Sequence, residues 1–437
     1  MENTSLTLFW FRRDLRLEDN HGLYQALKNH NDVLPLFIFD QEILTHLQDK
    51  DDARVTFIHD SLAQIKRKLQ SLGSDLLVEV GTPLDVFQKI IKNFSVKSVF
   101  TNHDYEPYAL KRDRQIATYL HEKGISFQSF KDQCLLEKNE VLKNDLNPYT
   151  VFTPYKNKWL EKFYAQGIPN YRTDELHTHF FKVKKTYGWP SLEELGFKKS
   201  LVPMPPLDLN VEIIKKYDKT RDFPSLHQGT THLGLHLRFG TISVRECLKI
   251  ASEKNQTWLS ELIWREFFMQ ILFHFPHVVK GAFRKEYDAI EWRSDEEDFK
   301  KWCEGKTGYP LVDAGMRELN QTGYMHNRVR MLTASFLCKH LLIDWRLGEA
   351  YFARKLLDFD LSANNGNWQW SAGTGCDAAP YFRIFNPTLQ LKKFDPQFIY
   401  VKKWVPEWGE PSYVLPVVEH STARLRVLEA YKKALKS

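Results

Sequence analysis

Between Asp358 and Pro387 the chain reads DFDLSANNGNWQWSAGTGCDAAPYFRIFNP, thirty positions that bring together acids, paired amides, two indoles and several glycines. Carboxylates accept from a ring N–H or a sugar hydroxyl, and amides offer donor and acceptor together to a heterocycle whose protonation changes. Asp358, Asp360 and Asn364 are therefore candidate ligands for a flat heterocycle. Trp368 and Trp370 would point to different sides of an extended or irregular backbone. They read either as buried core or as a stacking surface, which contributes roughly 1–3 kcal/mol per base held. Asn365-Gly366 and Gly373-Thr374-Gly375 are turn signals, so an irregular loop lining a site is expected here rather than a core helix.

Four further constellations carry candidate chemistry. In SELIWREFF, Glu261 and Trp264 share a helix face, with Arg265 and Phe268 nearby. A carboxyl beside an indole is a candidate proton or hydrogen-bond donor, or simply a solvated acid next to a core ring. In MHNRVRM, one helix face can present Asn327, Arg330 and Met331, although a lone Met is usually a core filler. The run Gly229-Thr230-Thr231-His232-Leu233-Gly234 offers hydroxyls and backbone N–H groups at an expected helix start. It suits a diphosphate and equally suits an ordinary capped turn. Arg12, Arg13 and Arg16 follow the first expected strand, where open sheets bind ligands. Their alternative is a solvated turn salt-bridged to Asp14 and Glu18.

The elements that must position these groups fall into two patterns. Apolar runs at 6–11, 33–39, 76–80, 95–100 and 125–130 alternate with amphipathic stretches such as 53–72, the rhythm of a parallel sheet covered by helices. The first run is too short for a signal sequence or a membrane span and reads as a buried strand. It is not followed by G-x-G-x-x-G, so no NAD site is expected. Residues 132–205 are proline-rich and irregular, and helical periodicity dominates from 206 onward. The expectation is an α/β Rossmann-like domain over 1–131, a connector over 132–205 and an all-α domain over 206–437. The final stretch VVEHSTARLRVLEAYKKALKS reads as an amphipathic helix with no tail. The 437 residues exceed a usual single domain, and 61 Lys+Arg against 55 Asp+Glu give +6, which permits a polyanion partner without demanding one. The five cysteines lack C-x-x-C spacing, so a reducing, cytoplasmic setting is expected, with no metal site, disulfide framework or membrane partner.

The run ANNGNWQW…GTGCDAAPYFRIFNP, with FWFRRDLRLEDN (9–20), RDFPSLHQGTTHLGLHLRFG (221–240), ELIWREFF (261–268) and KTGYPLVDAGMRELNQTGYMHNRVRM (306–331), resembles the photolyase/cryptochrome family over essentially the whole chain. The nearest likeness is to bacterial photolyases for cyclobutane pyrimidine dimers. The resemblance implies a monomer that binds FAD and damaged DNA and repairs the dimers with an electron from photoexcited reduced FAD. It implies FAD contacts from Tyr217, Thr230, Thr231, His232, Leu233, Gly234, Trp258, Asn327, Arg330, Asp358, Asp360 and Asn364, with Arg330 paired to Asp358 and Asn364 facing flavin N5. Glu261, Trp264, Met331 and Trp370 match lesion-pocket positions, and Arg221 and Arg328 match DNA-side arginines. Met331 stands where cyclobutane-dimer photolyases carry Met, whereas those for the (6-4) lesion carry His. Trp292, Trp345 and Trp368 match an electron-transfer chain. His232, Gly234 and His236 depart from the commonest residues of the diphosphate segment, which weakens side-chain contacts there. Folate contacts are not matched after Tyr105-Glu106, leaving a deazaflavin, a second flavin near Arg12 and Asp40, or no antenna. The alternative function is a cryptochrome-type photoreceptor without repair. The lesion-pocket set and the lack of an extension argue against it.

Overall fold

The computed structural model describes residues 5–436; Met1–Thr4 and Ser437, which fall within the expected domain limits, lie outside the described residues. Two compact units divide the chain. One gathers the residues up to Glu137 with Phe163–Leu207 and Leu233–Lys249; the other gathers Lys138–Lys162, Asp208–His232 and Ile250 onward. The proline-rich stretch is thus shared, Lys138–Lys162 grouping with the second unit and the rest of it with the first. Among the described residues no helix is long and apolar enough to cross a membrane.

The first unit is built on five strands, β1 (Leu6–Phe11), β2 (Val33–Asp40), β3 (Leu77–Gly81), β4 (Val96–Asn102) and β5 (Ser126–Phe130), in the order β3-β2-β1-β4-β5. All pairings are parallel, with Phe9 opposite Pro35 on one side and Phe100 on the other. β1 and β2 are buried along their whole length, which is why they read as continuous apolar runs rather than alternating ones. The covering helices begin where the sequence supplies caps: Asn20 before His21–Asn29, Asp52 before Ala53–Ser71 and Thr82 before Pro83–Asn93.

The arginines after β1 do not pair with Asp14 and Glu18 as the local alternative had it. Arg12 reaches Asp113 at 2.5 Å, Arg13 reaches Glu106 at 2.7 Å, and Arg16 reaches Asp132 at 2.8 Å. Asp14 is spent on the Arg12 backbone N–H and the Asn102 amide, both at 2.6 Å. Burial raises the pKa of Asp132, yet Arg16 and Arg245 outweigh it and hold the group down at about 2. Asp40 accepts from the Tyr108 hydroxyl at 2.6 Å. These charges are partnered within the fold.

Among the described residues the second unit is built on helices and contains no named strand, only an isolated bridge between Leu142 and Pro148. Its apolar centre is formed by Trp302, Leu319, Val329, Phe336, Trp345, Phe352 and Trp368, contributed by five helices and the π-helical turn Phe336–His340. The stretch expected as a loop is a helix, Leu361–Ala372. Asp360 caps it, accepting from the N–H groups of Ser362 and Ala363 at 3.1 and 3.2 Å, and Gly373 ends it at φ 87°. Gly366 is not a turn residue. A Cβ there would lie 2.2 Å from the Phe268 ring, so its role is to let helix Leu361–Ala372 close on helix Gln256–His274.

Candidate functional site

A cavity of about 350 Å³ opens in the helical unit, within the range of small-molecule sites. Three helices and the segment before the third supply its functional wall. Helix Gln256–His274 presents Glu261, Trp264, Arg265 and Phe268, the i, i+3, i+4, i+7 face. Helix Asn327–Ser335 presents Asn327, Arg330, Met331 and Ala334. Helix Leu361–Ala372 adds Ala363, Asn364, Asn367, Trp368, Trp370 and Ser371, preceded by Asp358, Phe359 and Asp360.

The polar groups of this wall hold one another in fixed geometry. Arg330 grips Asp358 through both terminal nitrogens at 3.1 and 2.9 Å, and its Nε donates to the Met325 carbonyl at 2.7 Å. A two-pronged arginine–carboxylate pair fixes orientation as well as charge. Arg221 donates to Glu261 Oε1 at 2.5 Å. Glu261 is therefore an ion-paired acceptor here, where the sequence reading left it as a candidate donor. The Asn364 NH₂ donates to the Glu349 carboxyl at 2.8 Å, and burial raises the Glu349 pKa. With its NH₂ so engaged, Asn364 has its Oδ1 to offer a ligand. Trp368, 2% exposed, carries an indole N–H with no hydrogen-bond partner among the described residues.

Eleven of the expected site residues line this cavity: Arg221, Glu261, Trp264, Asn327, Arg330, Met331, Asp358, Asp360, Asn364, Trp368 and Trp370. Arg328 is not in the wall but adjoins it, its Nη1 lying 3.7 Å from Met331 Sδ, while it pairs with Asp222 and lies over the Phe394 ring at 4.6 Å. Thr230 and His232 line a second cavity of about 80 Å³ with Glu318, Tyr324, His326, Tyr400 and Lys403. There the Thr230 and Tyr324 hydroxyls lie 3.4 Å apart, and burial brings His326 down to about 4. Thr231 lines neither cavity, and Leu233 and Gly234 group with the first unit. Trp258 is buried at the start of its helix. Tyr217 lies 5.3 Å from the Arg221 guanidinium, and burial raises its pKa.

Trp345 and Trp368 share the apolar centre, and Trp292 packs against it. The rings nearest Trp368 are Phe352 at 4.9 Å and Trp302 at 6.1 Å, and Trp292 meets Tyr431 at 6.1 Å. Sequence reading missed Trp302, Glu349 and the wall residues Phe352, Phe359, Ala363, Asn367 and Ser371. A helical reading of 361–372 would have found the last three, because Asp360, Ala363, Asn364, Asn367 and Ser371 recur at helical spacing.

Comparison with known proteins gives a consistent account. The family pattern described as DNA photolyase matches residues 7–173, and that described as FAD binding domain of DNA photolyase matches residues 258–411. A deoxyribodipyrimidine photo-lyase of Vibrio cholerae is 36% identical over 469 aligned residues, covering 98% of this chain and 100% of the relative. An archaeal photolyase from Sulfolobus tokodaii, solved with two FAD molecules, superposes with a TM-score of 0.84 at 35% identity, covering 98% of this chain and 99% of that one. A cryptochrome of Synechocystis superposes with a TM-score of 0.87 at 26% identity, covering 98% and 100% respectively.

Proposed function

Because the chain belongs to the DNA photolyase family and carries its FAD-binding domain, we propose that it is a deoxyribodipyrimidine photo-lyase that repairs cyclobutane pyrimidine dimers in light. The chemistry that reduced FAD would supply there, when bound and excited by light, is one electron to the dimer, returned once the ring has opened. The residues of the large cavity suit that cofactor. The fixed Arg330–Asp358 pair, the acceptors Asp360 and Asn364 and the unpartnered Trp368 N–H are the groups that would hold it.

The observation that carries the reading is one wall: Glu261, Trp264, Met331 and Trp370 line the same cavity as Asn364 and the Arg330–Asp358 pair. A lesion held by the first four would share one cavity with a cofactor held by the others. Trp264 and Trp370 offer flat apolar faces to a cyclobutane-linked pyrimidine pair. Glu261, steadied by Arg221, accepts an N–H of the lesion edge, and Met331 packs against the ring. A dimer in duplex DNA must leave the stack to enter, the general route of photolyases and other enzymes that work on bases. Arg221 and Arg328 stand beside this opening as candidate phosphate contacts. Trp292, Trp345 and Trp368 are the proposed path by which the cofactor is reduced from outside. The antenna stays open between a deazaflavin, a second flavin and none.

The test mixes reduced, flavin-loaded protein with a thymine-dimer oligonucleotide under blue light. Thymine absorbance is expected to recover only in light, and recovery is expected to be lost in Glu261→Ala. Absence of recovery from protein that binds flavin and is photoreducible would favour the photoreceptor reading, for which the likeness to a cryptochrome provides support.

A further inference from the structure

The Trp264 indole has a partner that the repair chemistry does not use. Phe152, the first residue of helix Phe152–Gln166, stacks on it with ring centroids 3.6 Å apart and planes 7° from parallel. Aromatic pairs in proteins usually sit offset or edge-on with centroids 4.5–7 Å apart. Such close overlap covers one indole face, while Phe268, one turn further along the same helix, stacks more loosely on the ring at 5.5 Å and 27°, and Trp264 and Phe268 both line the cavity. Phe152 is itself held on two sides. Its ring meets Phe267 edge-on at 5.8 Å, and its backbone N–H donates to Asp377 Oδ2 at 3.0 Å.

That hydrogen bond has structural consequences. The first N–H groups of a helix have no partner within it and carry the positive end of its dipole. Asp377 therefore caps helix Phe152–Gln166 from 225 positions away in sequence, from a backbone at φ 47° that non-glycine residues seldom adopt. Two further ties keep this helix against helix Gln256–His274: Lys156 Nζ donates to Ser260 Oγ, and Trp159 Nε1 donates to Glu266 Oε2, both at 2.6 Å. The indole plane is thus fixed from behind through a chain that runs Asp377, Phe152, Trp264, cavity.

We propose that Phe152 is a positioning residue for lesion recognition, setting the plane of Trp264 against the flat face of the dimer, with Asp377 as its latch. The inference rests on the repair reading above. The measurement is the affinity of flavin-loaded protein for an oligonucleotide with one thymine dimer and for the same oligonucleotide undamaged, by fluorescence anisotropy. Phe152→Leu is expected to weaken binding of the damaged strand by roughly tenfold, within the range that a base–aromatic stack contributes. Binding of undamaged strand and flavin content are expected to stay as in wild type, the melting temperature to fall modestly with the lost ring contacts, and Phe152→Tyr to restore discrimination. Because the residue acts through Trp264, Phe152→Leu added to Trp264→Ala should weaken damaged-strand binding no further. Asp377→Ala is expected to reproduce part of the loss, and tests the latch should Phe152→Leu fold poorly.

Equal discrimination by wild type, Phe152→Leu and Asp377→Ala would overturn the inference, as would additive losses in the double variant. Wild-type protein that does not prefer the damaged strand would instead remove the repair reading on which it rests.

Discussion

Glu318 is a buried carboxyl in helix Pro310–Thr322, accepting from the Tyr400 hydroxyl at 2.6 Å and from the His326 N–H at 3.4 Å. Two bonds do not replace the hydration of an ionised carboxylate, and burial raises its pKa from an ordinary 4.5 to about 6. The folded protein binds this proton more tightly than the unfolded chain does. The stabilising contribution is thus complete below pH 4.5 and is lost as pH rises through 6. Glu318→Gln removes the ionisation and keeps an acceptor for Tyr400. Urea unfolding is expected to show it more stable than wild type at pH 8 by on the order of 2 kcal/mol. The gain should fade toward pH 4. An equal gain at both values would mean that packing, not charge, is responsible.

At the scale of elements, β1 and β2 were legible because burial on both faces leaves a mark that needs no partner, a near-continuous apolar run, whereas the partly exposed β3 and β5 were legible from their place in the alternation with amphipathic helices. Helix Leu361–Ala372 was not. Its Asn-Gly step reads locally as a turn, and only the Phe268 ring on another helix explains why a glycine belongs there. The candidate site divided in the same way. Residue types and motif resemblance pointed to Glu261, Trp264, Asn364 and Met331, whereas the Arg221–Glu261 pair and the Phe152 stack join distant segments and leave no local pattern. Another such contact joins the π-helical turn Phe336–His340 to helix His420–Ala434. His340 Nε2 and His420 Nδ1 lie 2.9 Å apart, and Arg426 of that helix donates to the His340 carbonyl at 2.5 Å. Burial, then His420 and Arg426, bring His340 down from 6.5 to about 3. A histidine so depressed gives stability above its unfolded value that is lost as pH falls from 6.5 toward 3. Amides of residues 420–434 should accordingly lose hydrogen-exchange protection between pH 7 and pH 5, after correction for intrinsic rates. His340→Asn is expected to flatten that dependence. An unchanged slope in the variant would place the acid sensitivity elsewhere.

For the molecule as a whole, a formal charge of +6 on 437 residues is too small for bulk attraction to account for tight binding of a polyanion. Affinity for DNA must come from cations that the fold leaves exchangeable. Many are not: Arg12, Arg16 and Arg245 hold largely buried carboxylates in the first unit, and Arg330 is locked on Asp358 in the second. Arg328 differs, because its partner Asp222 has a side chain 41% exposed, and pairs with solvated carboxylates are weak. A backbone phosphate can take the place of Asp222 while the guanidinium keeps its seat over Phe394. Contacts to phosphate position the duplex without reading it. On the proposed function, Arg328→Ala should therefore weaken damaged and undamaged duplex by the same factor and make the slope of log affinity against log salt shallower by about 1. Glu261→Ala, by contrast, should weaken damaged duplex alone and leave the slope unchanged. If Arg328→Ala showed that second pattern, the guanidinium would be acting on the lesion rather than on the backbone, and the contact with Met331 Sδ would be the part of its geometry that matters.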